Sequence, residues 1–272
     1  MKNLRIIDVF ILILFIPVYL YNPYIHTAVT KIFFRHATYH QYQYHSPTNN
    51  TTGDNFYYLL KTATSIFNIN IKGIIHIGAN IGQEQPIYNN FEIKNILWIE
   101  ADPSLAEKLK HSIKVNNNRE IKIANFAASN VNSSGVFFKT NNNGLSSSLL
   151  KLKKHKIIFP DITETAELPI ILKTLDTYFI EQQDPSNKKK YNFLVLDIQG
   201  AELLALEGAK NTLKQIDGII SEINYDELYE KGTSLEELDK FLMQHQFIRV
   251  DTKTETKGYG NALYINKIFL NI

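Results

Sequence analysis

Three acidic residues follow two apolar runs in the C-terminal third of the sequence. Asp197 and Glu202 come after the run FLVL at 193–196, and Glu222 lies near the end of the next run, GIISEI at 218–223. Open parallel sheets bind ligands beside the carboxyl ends of their strands, so we expect these acids to face one crevice. Clustered carboxylates raise one another's pKa, and one of them then serves as a general base near neutral pH. The pattern predicts that Asp197 deprotonates or orients a hydroxyl, helped by Glu202 and Glu222. The alternatives are a helix cap at Asp197 and a lysine partner for Glu202.

A glycine-containing loop follows an earlier apolar run, GIIHI. It holds Gly78 and Gly82, which permit a tight turn and close approach of a ligand to the backbone. A dinucleotide fingerprint needs a further glycine where Asn80 stands, so hydride-transfer chemistry is disfavoured. Glu100 follows 22 residues after Gly78, at the end of the next run, where a carboxylate accepts hydrogen bonds from both hydroxyls of a ribose. Loop and acid together predict a nucleoside site that suits S-adenosylmethionine, with a plain strand-to-helix turn and a surface glutamate as the alternative.

Strand and helix patterns alternate from residue 56 onward, which favours an α/β fold with a parallel sheet covered by helices on both faces. The predicted strands are 73–77, 96–100, 121–127, 193–198 and 218–223, and the predicted helices are 54–67, 103–115, 200–215 and 234–245. Two late segments, 247–252 and 261–266, are joined through glycines and predict an antiparallel hairpin that closes the sheet.

A long insertion, residues 130–190, separates the third and fourth predicted strands. It contains a Ser/Asn tract and two lysine runs, 151–156 and 188–190. Long irregular segments in compact domains commonly form lids or binding loops, and we expect one here. The lysines are expected on solvated surface, with contact to a sugar, phosphate or headgroup as the alternative.

Composition narrows the function classes. The chain has 272 residues, of which 44% are apolar and 21% charged, enough to bury a full core in one domain plus an extension. The net charge of +2 is too small for the field that a nucleic-acid binder normally carries. There is no cysteine, which excludes thiolate metal sites and cysteine nucleophiles. We therefore expect a small-molecule or glycan acceptor and no nucleic-acid partner.

The N-terminal segment, residues 1–30, is hydrophobic. Residues 9–25 carry no charge but include prolines, so the run predicts a signal-anchor or uncleaved signal, with a helix packed on the domain as the alternative. This predicts membrane association, with a cytoplasmic protein as the alternative. Residues 31–55 predict a polar linker before a catalytic domain at 56–272. Three histidines in this linker are expected in a solvated tether, with metal binding as the alternative: His36, His40 and His45.

The sequence resembles the FkbM family of class I S-adenosylmethionine-dependent methyltransferases over about residues 70–266. The motifs that carry the resemblance are HIGANIGQ at 76–83, IEADP at 99–103, NNGLSSSLL at 142–150, KTLDTYF at 173–179, LDIQGAELLALEGA at 196–209 and YGNALYI at 259–265. It implies a Rossmann-like, mostly parallel seven-stranded sheet with a C-terminal antiparallel hairpin, S-adenosylmethionine as cofactor, and methyl transfer to a hydroxyl, usually of a sugar or a polyketide-type product.

The resemblance also assigns residues to parts of the site. The implied cofactor contacts are Gly78, Asn80 and Gly82 for the methionine part, Glu100 for the ribose, Ala127, Ala128 and Ser129 for the adenine, and also His76, Ser147 and Asp197. Asp197, Glu202 and Glu222 fall on the family's acidic positions, and Ser146 and Ser148 flank Ser147 in its serine tract. Two positions depart from the family, because His76 replaces a frequent Asp and Gln199 a frequent Glu. His76 is either a buried strand residue or a hydrogen-bonding partner of the ligand.

These observations predict an O-methyltransferase in which Asp197 and Glu222 act on a hydroxyl. Two other functions are compatible with the residues: a membrane-tethered protein that keeps the cofactor fold without chemistry, and an NAD-dependent oxidoreductase. A metal is not expected, although Asp197 and Glu222 together offer oxygen ligands that suit Mg²⁺.

Overall fold

The computed structural model describes residues 51–113, 119–182, 190–254 and 258–270. Its strands are β1 (Gly73–Ile77), β2 (Asn95–Glu100), β3 (Glu120–Asn125), β4 (Ala127–Ala128), β5 (Ser133–Thr140), β6 (Glu164–Lys173), β7 (Phe193–Leu196), β8 (Gly218–Asn224), β9 (Phe247–Thr254) and β10 (Tyr259–Asn266). Its α-helices are α1 (Thr51–Ser65), α2 (Gln85–Asn90), α3 (Pro103–Ser112), α4 (His155–Ile158), α5 (Leu175–Glu181), α6 (Glu202–Glu207) and α7 (Leu235–Gln244). Two 3₁₀ helices, Thr212–Gln215 and Lys267–Phe269, complete the described elements.

Seven of the strands form one sheet, in the order β3-β2-β1-β7-β8-β10-β9. The first five run parallel, whereas β10 lies antiparallel to both β8 and β9. The predicted mostly parallel sheet with a closing hairpin is therefore confirmed. Chain order reverses between β1 and β7, and the carboxyl ends of these two strands define the crevice in which open sheets of this kind bind ligands.

Both faces of the sheet are covered, which explains the nearly continuous apolar runs in its central strands. Every residue of β1, β7 and β8 is buried. Because side chains alternate along a strand, Ile75 and Ile77 join the core cluster that includes residues of α5, α6 and α7. His76 points to the opposite face, where its ring stacks against Trp98 and hydrogen-bonds Tyr88 of α2.

The predicted helix at 200–215 is wrong in its extent. Only α6 and a separate 3₁₀ turn form there, and Gly208 lies between them. A Cβ at Gly208 would lie 2.0 Å from the backbone oxygen of Ser129, so the chain approaches its neighbour too closely for a regular helix with side chains. The Asp176 side chain accepts hydrogen bonds from the backbone N–H groups of Asn211 and Thr212 and so starts the 3₁₀ turn instead. In contrast, the helix predicted at 234–245 forms with a capping box between Ser234 and Glu237.

The insertion at 130–190 is also more regular than predicted. β5 and β6 pair antiparallel over eight positions, and β4 pairs with β6, which gives a second, three-stranded sheet. Phe137 and Ile170 pack with Ala127 in a small core of their own. The third predicted strand accordingly ends at Asn125, and Ala127 belongs to the second sheet.

The N-terminal predictions lie outside the described residues. This applies to the hydrophobic segment 1–30, to the linker histidines, and to most of the linker 31–55, although α1 begins at Thr51. Lys188 and Lys189 of the second lysine run lie outside them as well. The described residues from 51 to 266 form one compact unit, and the 3₁₀ helix at 267–269 is assigned to a second one. Among the described helices, none has the length and apolarity needed to cross a membrane.

Candidate active site

A cavity of about 520 Å³ opens at the carboxyl ends of β1, β2, β7 and β8. This volume falls within the range of small-molecule and cofactor pockets. The residues that line it and matter below are His76, Gly78, Asn80, Gln83, Glu84, Glu100, Phe126, Ala127, Ala128, Phe137, Ser147, Asp197, Gln199, Glu222, Tyr259 and Asn261. The structure therefore brings most of the residues predicted from sequence into one crevice, at the strand reversal where they were expected.

The turn after β1 forms the floor between the two halves of the crevice. Gly78 has φ +90°, and a Cβ there would lie 1.8 Å from the backbone oxygen of Asp197, so only glycine fits. Asn80 also has a positive φ, 46°, and lines the cavity. Gly82 does not line it: its α-carbon faces Leu109 and Ile113, and its role in the structure is to let α3 pack against the turn.

Glu100 ends β2 and is held by the main chain. One carboxylate oxygen accepts a hydrogen bond from the Asn80 N–H at 2.7 Å, and the other accepts one from the Asp102 N–H at 2.8 Å. Burial raises the pKa of Glu100 to about 7, despite the opposing effect of these two backbone donors. An ionised carboxylate has about four acceptor positions, so two remain for the paired hydroxyls of a ribose.

The wall beyond Glu100 is apolar and suits a flat base. Ala127 and Ala128 line the cavity as predicted, together with Phe126 and Phe137, which supply ring surface. Ser129 is not part of this wall, since its N–H donates to the backbone oxygen of Lys173 in the second sheet. The wall thus combines residues of the second sheet with Phe126, which lies between β3 and β4.

The serine tract fixes a loop rather than offering three free hydroxyls. Ser147 lines the cavity, and its hydroxyl accepts a hydrogen bond from the Thr140 N–H at 3.0 Å. The Ser146 hydroxyl lies 3.1 Å from the His155 ring nitrogen Nε2. The Ser148 hydroxyl donates to the backbone oxygen of Gln199 at 2.8 Å, which attaches this loop to the turn after β7.

The carboxylates at the ends of β7 and β8 are joined by an amide. Gln199 Nε2 donates to Asp197 Oδ1 at 2.8 Å and to Glu222 Oε2 at 2.5 Å. Burial, followed by the charge of Asp197, raises the pKa of Glu222 well above its usual value. Burial and the neighbouring Asp197 thus favour the protonated form of Glu222.

Glu202 lies behind this pair and outside the cavity lining. It is buried, and one carboxylate oxygen accepts hydrogen bonds from the N–H groups of Ile198 and Gly200, both at 3.2 Å. Burial raises the pKa of Glu202 to about 7. It holds the turn that carries Gln199. The helix-cap alternative for Asp197 has no support among the described contacts, since α6 starts after Ala201 without a side-chain cap.

Two titratable groups line the crevice on the α2 side. His76 is buried, and burial lowers its pKa to about 3, so its ring is neutral. Its Nδ1 lies 2.7 Å from the Tyr88 hydroxyl, and it both packs in the sheet and lines the cavity. Glu84 is half-buried; burial first, and then the charge of Asp197, raise its pKa to about 7. Sequence reasoning assigned no role to Glu84, although its place directly before α2, within the turn motif, was a usable signal.

The lysine run at 151–156 is neutralised by neighbouring acids rather than arranged around an anion. Lys154 pairs with Asp226 at 3.3 Å, and Lys156 pairs with Glu164 at 3.2 Å. Lys151 and Lys153 likewise pair with glutamates. No lysine or arginine stands among the described residues that line the cavity. In the described parts of the chain there is also no group of three or more His, Asp or Glu arranged to hold a metal ion.

A mostly parallel sheet closed by an antiparallel hairpin, with a buried acid beside a glycine turn at the ligand-binding crevice, is typical of the class of S-adenosylmethionine-dependent methyltransferases. A family model described as "Methyltransferase FkbM domain" matches residues 76–249. The chain therefore belongs to the FkbM methyltransferase family, and S-adenosylmethionine is its methyl donor. The predicted family, cofactor and enzyme class are confirmed. The oxidoreductase alternative is set aside.

Several solved methyltransferase structures are similar to this chain at low sequence identity. The magnesium protoporphyrin IX methyltransferase of Synechocystis PCC 6803 with bound S-adenosylmethionine is 8% identical, with a TM-score of 0.41, over 88% of this chain and 96% of that one. The N-methyltransferase NodS of Bradyrhizobium japonicum WM9 is 9% identical, with a TM-score of 0.44, over 80% of this chain and 98% of that one. An S-adenosylmethionine-dependent methyltransferase of Clostridium acetobutylicum ATCC 824 is 9% identical, with a TM-score of 0.44, and the match covers 80% of this chain and 93% of that one. No curated protein matches the sequence.

The residues present fit this cofactor. Glu100 keeps two acceptor positions for the ribose, and the Gly78 turn leaves backbone without a Cβ beside the cavity. The wall containing Ala127 and Phe137 offers apolar surface to the adenine. When bound, the cofactor supplies an activated methyl group on its sulfonium.

Proposed function

We propose that the protein methylates a hydroxyl of a sugar, glycan or related small molecule, with Asp197 as the general base. The observation that carries this proposal is the Asp197–Glu222 pair beside the Gly78 turn, within the cavity that also contains Glu100. Neighbouring strands of a sheet are about 4.8 Å apart. Two strand spacings therefore separate Glu100, at the end of β2, from Asp197, directly after β7, by about 10 Å, with the glycine turn after β1 between them.

The proposed reaction requires only two contributions from the protein's own residues, a proton acceptor and the positioning of the acceptor hydroxyl. Asp197 would receive the proton of the acceptor hydroxyl as the methyl group passes from sulfur to that oxygen and S-adenosylhomocysteine leaves, and Glu222 would retain its own proton. Because the donor is already activated, most of the acceleration comes from holding the nucleophile at about 3–3.5 Å in the right direction. Asn261 offers an amide group at the cavity wall that orients an uncharged acceptor.

The charge of the crevice supports a neutral acceptor. Four carboxylates line it, namely Glu84, Glu100, Asp197 and Glu222, and no lysine or arginine does so among the described residues. A phosphate or carboxylate on the acceptor would be repelled at short range in this partly desolvated space. An alcohol gains hydrogen bonds without that cost. We therefore expect neutral saccharides to be methylated in preference to sugar phosphates or uronic acids.

The full-length chain with methyl-labelled S-adenosylmethionine tests this proposal. Neutral oligosaccharides should gain label in an ether linkage, with one S-adenosylhomocysteine formed for each methyl transferred. Asp161→Asn, at an exposed acid outside the cavity, serves as the control variant. Label in amines, or preference for phosphorylated sugars, would refute the acceptor class. Cofactor binding with no transfer to any acceptor would instead support the non-catalytic binding protein.

We also propose that residues 9–25 associate the enzyme with a membrane and that 31–55 link them to a catalytic domain at 56–272. What supports this is the uncharged apolar run and the polar composition that follows it. The full-length protein should float with phospholipid vesicles in a density gradient, and Leu14→Arg should abolish flotation. Wild-type protein that remains at the bottom of the gradient would contradict the proposal.

A further inference from the structure

The orientation of the Gln199 amide decides whether hydrogen-bond donors or a carbonyl oxygen face Asp197 and Glu222. As placed, its two N–H bonds point to Asp197 and Glu222, at 2.8 and 2.5 Å. A half-turn of the amide would replace these donors with the carbonyl oxygen and set an acceptor against both carboxylates. The backbone does not prevent that rotation, because it concerns only the last side-chain torsion. Something else must hold the amide.

Tyr229 supplies that restraint from outside the cavity. Its hydroxyl donates to Gln199 Oε1 at 2.6 Å, which fixes the carbonyl away from the carboxylates. Burial and the charge of Glu222 raise the pKa of the Tyr229 hydroxyl well above its usual value, so it stays a donor. Tyr229 is 2% exposed and is absent from the cavity lining, so its hydroxyl acts on the pair through Gln199.

The surroundings of Tyr229 keep its ring in place. A Cβ on Gly200 would lie 3.0–3.2 Å from the Tyr229 side chain, so the glycine next to Gln199 makes room for the ring. Tyr229 also forms an isolated β-bridge with Leu152, and the His155 ring packs at 5.6 Å from its ring. Gln199 itself has φ +60°, a conformation uncommon for residues other than glycine, and Ser148 binds its backbone oxygen. Donor and amide are thus both held by the fold.

We propose that Tyr229 is a positioning residue for methyl transfer, which locks the Gln199 amide with both N–H bonds directed at Asp197 and Glu222. This inference rests on the proposed function, in which that carboxylate pair receives the hydroxyl proton. The lock keeps the pair ready to hold one negative charge, because N–H donors stabilise carboxylate and a carbonyl oxygen does not.

The direction of the expected change follows from the groups that face the pair. These are the acids Glu84 and Glu202 and the hydroxyls of Tyr88 and Tyr229, and no lysine or arginine lines the described cavity. None of them replaces a lost N–H donor with a positive charge. Releasing the amide therefore favours protonation, and the pair should titrate at higher pH.

The test is a carboxyl-carbon NMR titration of the full-length protein, labelled with ¹³C at Asp and Glu side chains and saturated with S-adenosylhomocysteine. Tyr229→Phe should move the titration of the Asp197 and Glu222 signals upward by about one pH unit, as expected for loss of a charge-assisted hydrogen bond. Tyr225→Phe is the matched control. Its hydroxyl lies in the same region of sequence but pairs with Thr254 at 3.0 Å, and its titration should match the wild type.

A double substitution separates positioning from a general structural effect. In a Gln199→Leu background, Tyr229→Phe should cause no further shift, because the tyrosine then has no amide to orient. The inference is overturned if Tyr229→Phe binds S-adenosylhomocysteine with wild-type affinity yet titrates like the wild type. It is also overturned if the shift persists in the Gln199→Leu background. Failure of the wild type to bind S-adenosylhomocysteine would instead contradict the cofactor site on which the proposed function depends, and this outcome is distinct from failure of the inference on Tyr229.

The wild-type protein offers a second measurement in case Tyr229→Phe does not fold. Both Gln199 side-chain amide protons should exchange slowly with solvent, because one is hydrogen-bonded to Asp197 and the other to the buried Glu222. Their signals are assigned by their absence in Gln199→Leu. Fast exchange of either proton in the wild type would refute the locked amide.

Discussion

The two ends of the crevice hold their acids by different means. Glu100 is fixed by the main chain, through the N–H groups of Asn80 and Asp102. Asp197 and Glu222 are fixed by a side chain, the Gln199 amide. Main-chain donors can be changed only by moving the backbone, whereas a side-chain donor can be substituted or turned. Under the proposed function, the binding end of the site is thus fixed by the backbone, and the reacting end is fixed by a side chain that a substitution can change.

The largest effect should come from the residue that joins the two ends. Gly78→Ala places a Cβ 1.8 Å from a backbone oxygen at φ +90°, so we expect a loss of several kcal/mol in the free energy of unfolding, or failure to fold. Urea denaturation measures it. The control Gly258→Ala has a similar φ, +81°, but meets only a side-chain oxygen at 3.1 Å, and should cost about 1 kcal/mol. Equal losses for the two variants would show that the close approach at Gly78 has no special role.

Asp197→Asn should separate reaction from binding. The amide cannot take the hydroxyl proton, so turnover at saturating cofactor should fall by ~100-fold or more. Affinity for S-adenosylhomocysteine, measured by calorimetry, should stay within about threefold, since loss of proton acceptance leaves the ribose contacts intact. An equal loss of affinity and turnover would mean that cofactor binding and reaction are not assigned to separate ends of the crevice.

Glu100→Gln should show the reverse. An amide at this position must present its NH₂ group to one of two backbone donors, which should weaken S-adenosylhomocysteine binding by roughly 10- to 100-fold. Turnover at saturating cofactor should change little. Glu236→Gln, an exposed acid at the start of α7, is the control. Unchanged affinity in Glu100→Gln would remove the ribose role from this acid.

The smallest predicted effect is a dependence of cofactor affinity on pH. Burial raises the pKa of Glu100 to about 7, and only the carboxylate accepts both ribose hydroxyls. Since the ionised fraction grows as pH rises through 7, S-adenosylhomocysteine should bind up to about tenfold more tightly at pH 8 than at pH 6. Calorimetry at three pH values should reveal this slope, which should be reduced in Glu100→Gln. A slope of opposite sign would contradict the assignment.

Much of the main sheet was readable from sequence because its signal is local. GIIHI and FLVL are short apolar runs that suit strands covered on both faces, and they form β1 and β7. The second sheet was missed for a physical reason. Most residues of β5 and β6 are exposed or half-buried, so neither strand forms a continuous buried run. The two strands are also separated by 23 residues, 141–163, so no short hairpin turn indicates that they pair. The break in the helix at Gly208 depends on a contact with Ser129, which no local pattern contains.

The site residues likewise divide into those that local sequence predicts and those that only tertiary contacts reveal. Glu100, Asp197 and Glu222 were found because acids at strand ends converge by topology alone. Tyr229 was missed because it reaches Gln199 across 30 residues of sequence, from a segment without regular structure. Glu202 was expected in the crevice, whereas its buried carboxylate binds two backbone N–H groups behind it. Sequence gives the positions of functional groups along strands, and tertiary contacts decide which way each side chain turns.

The second sheet begins and ends at the same place. Ala127 and Ala128 pair in parallel with Leu172 and Lys173, so the chain departs from the methyltransferase core and returns to it within one strand spacing. A detour whose two ends already touch can be lengthened, shortened or exchanged with little change in the loop-closure entropy of the core. Because Phe137, Ser147 and Ser148 of this detour line or support the cavity, insertions that keep these residues are the natural way to add an acceptor-recognition module within residues 129–171.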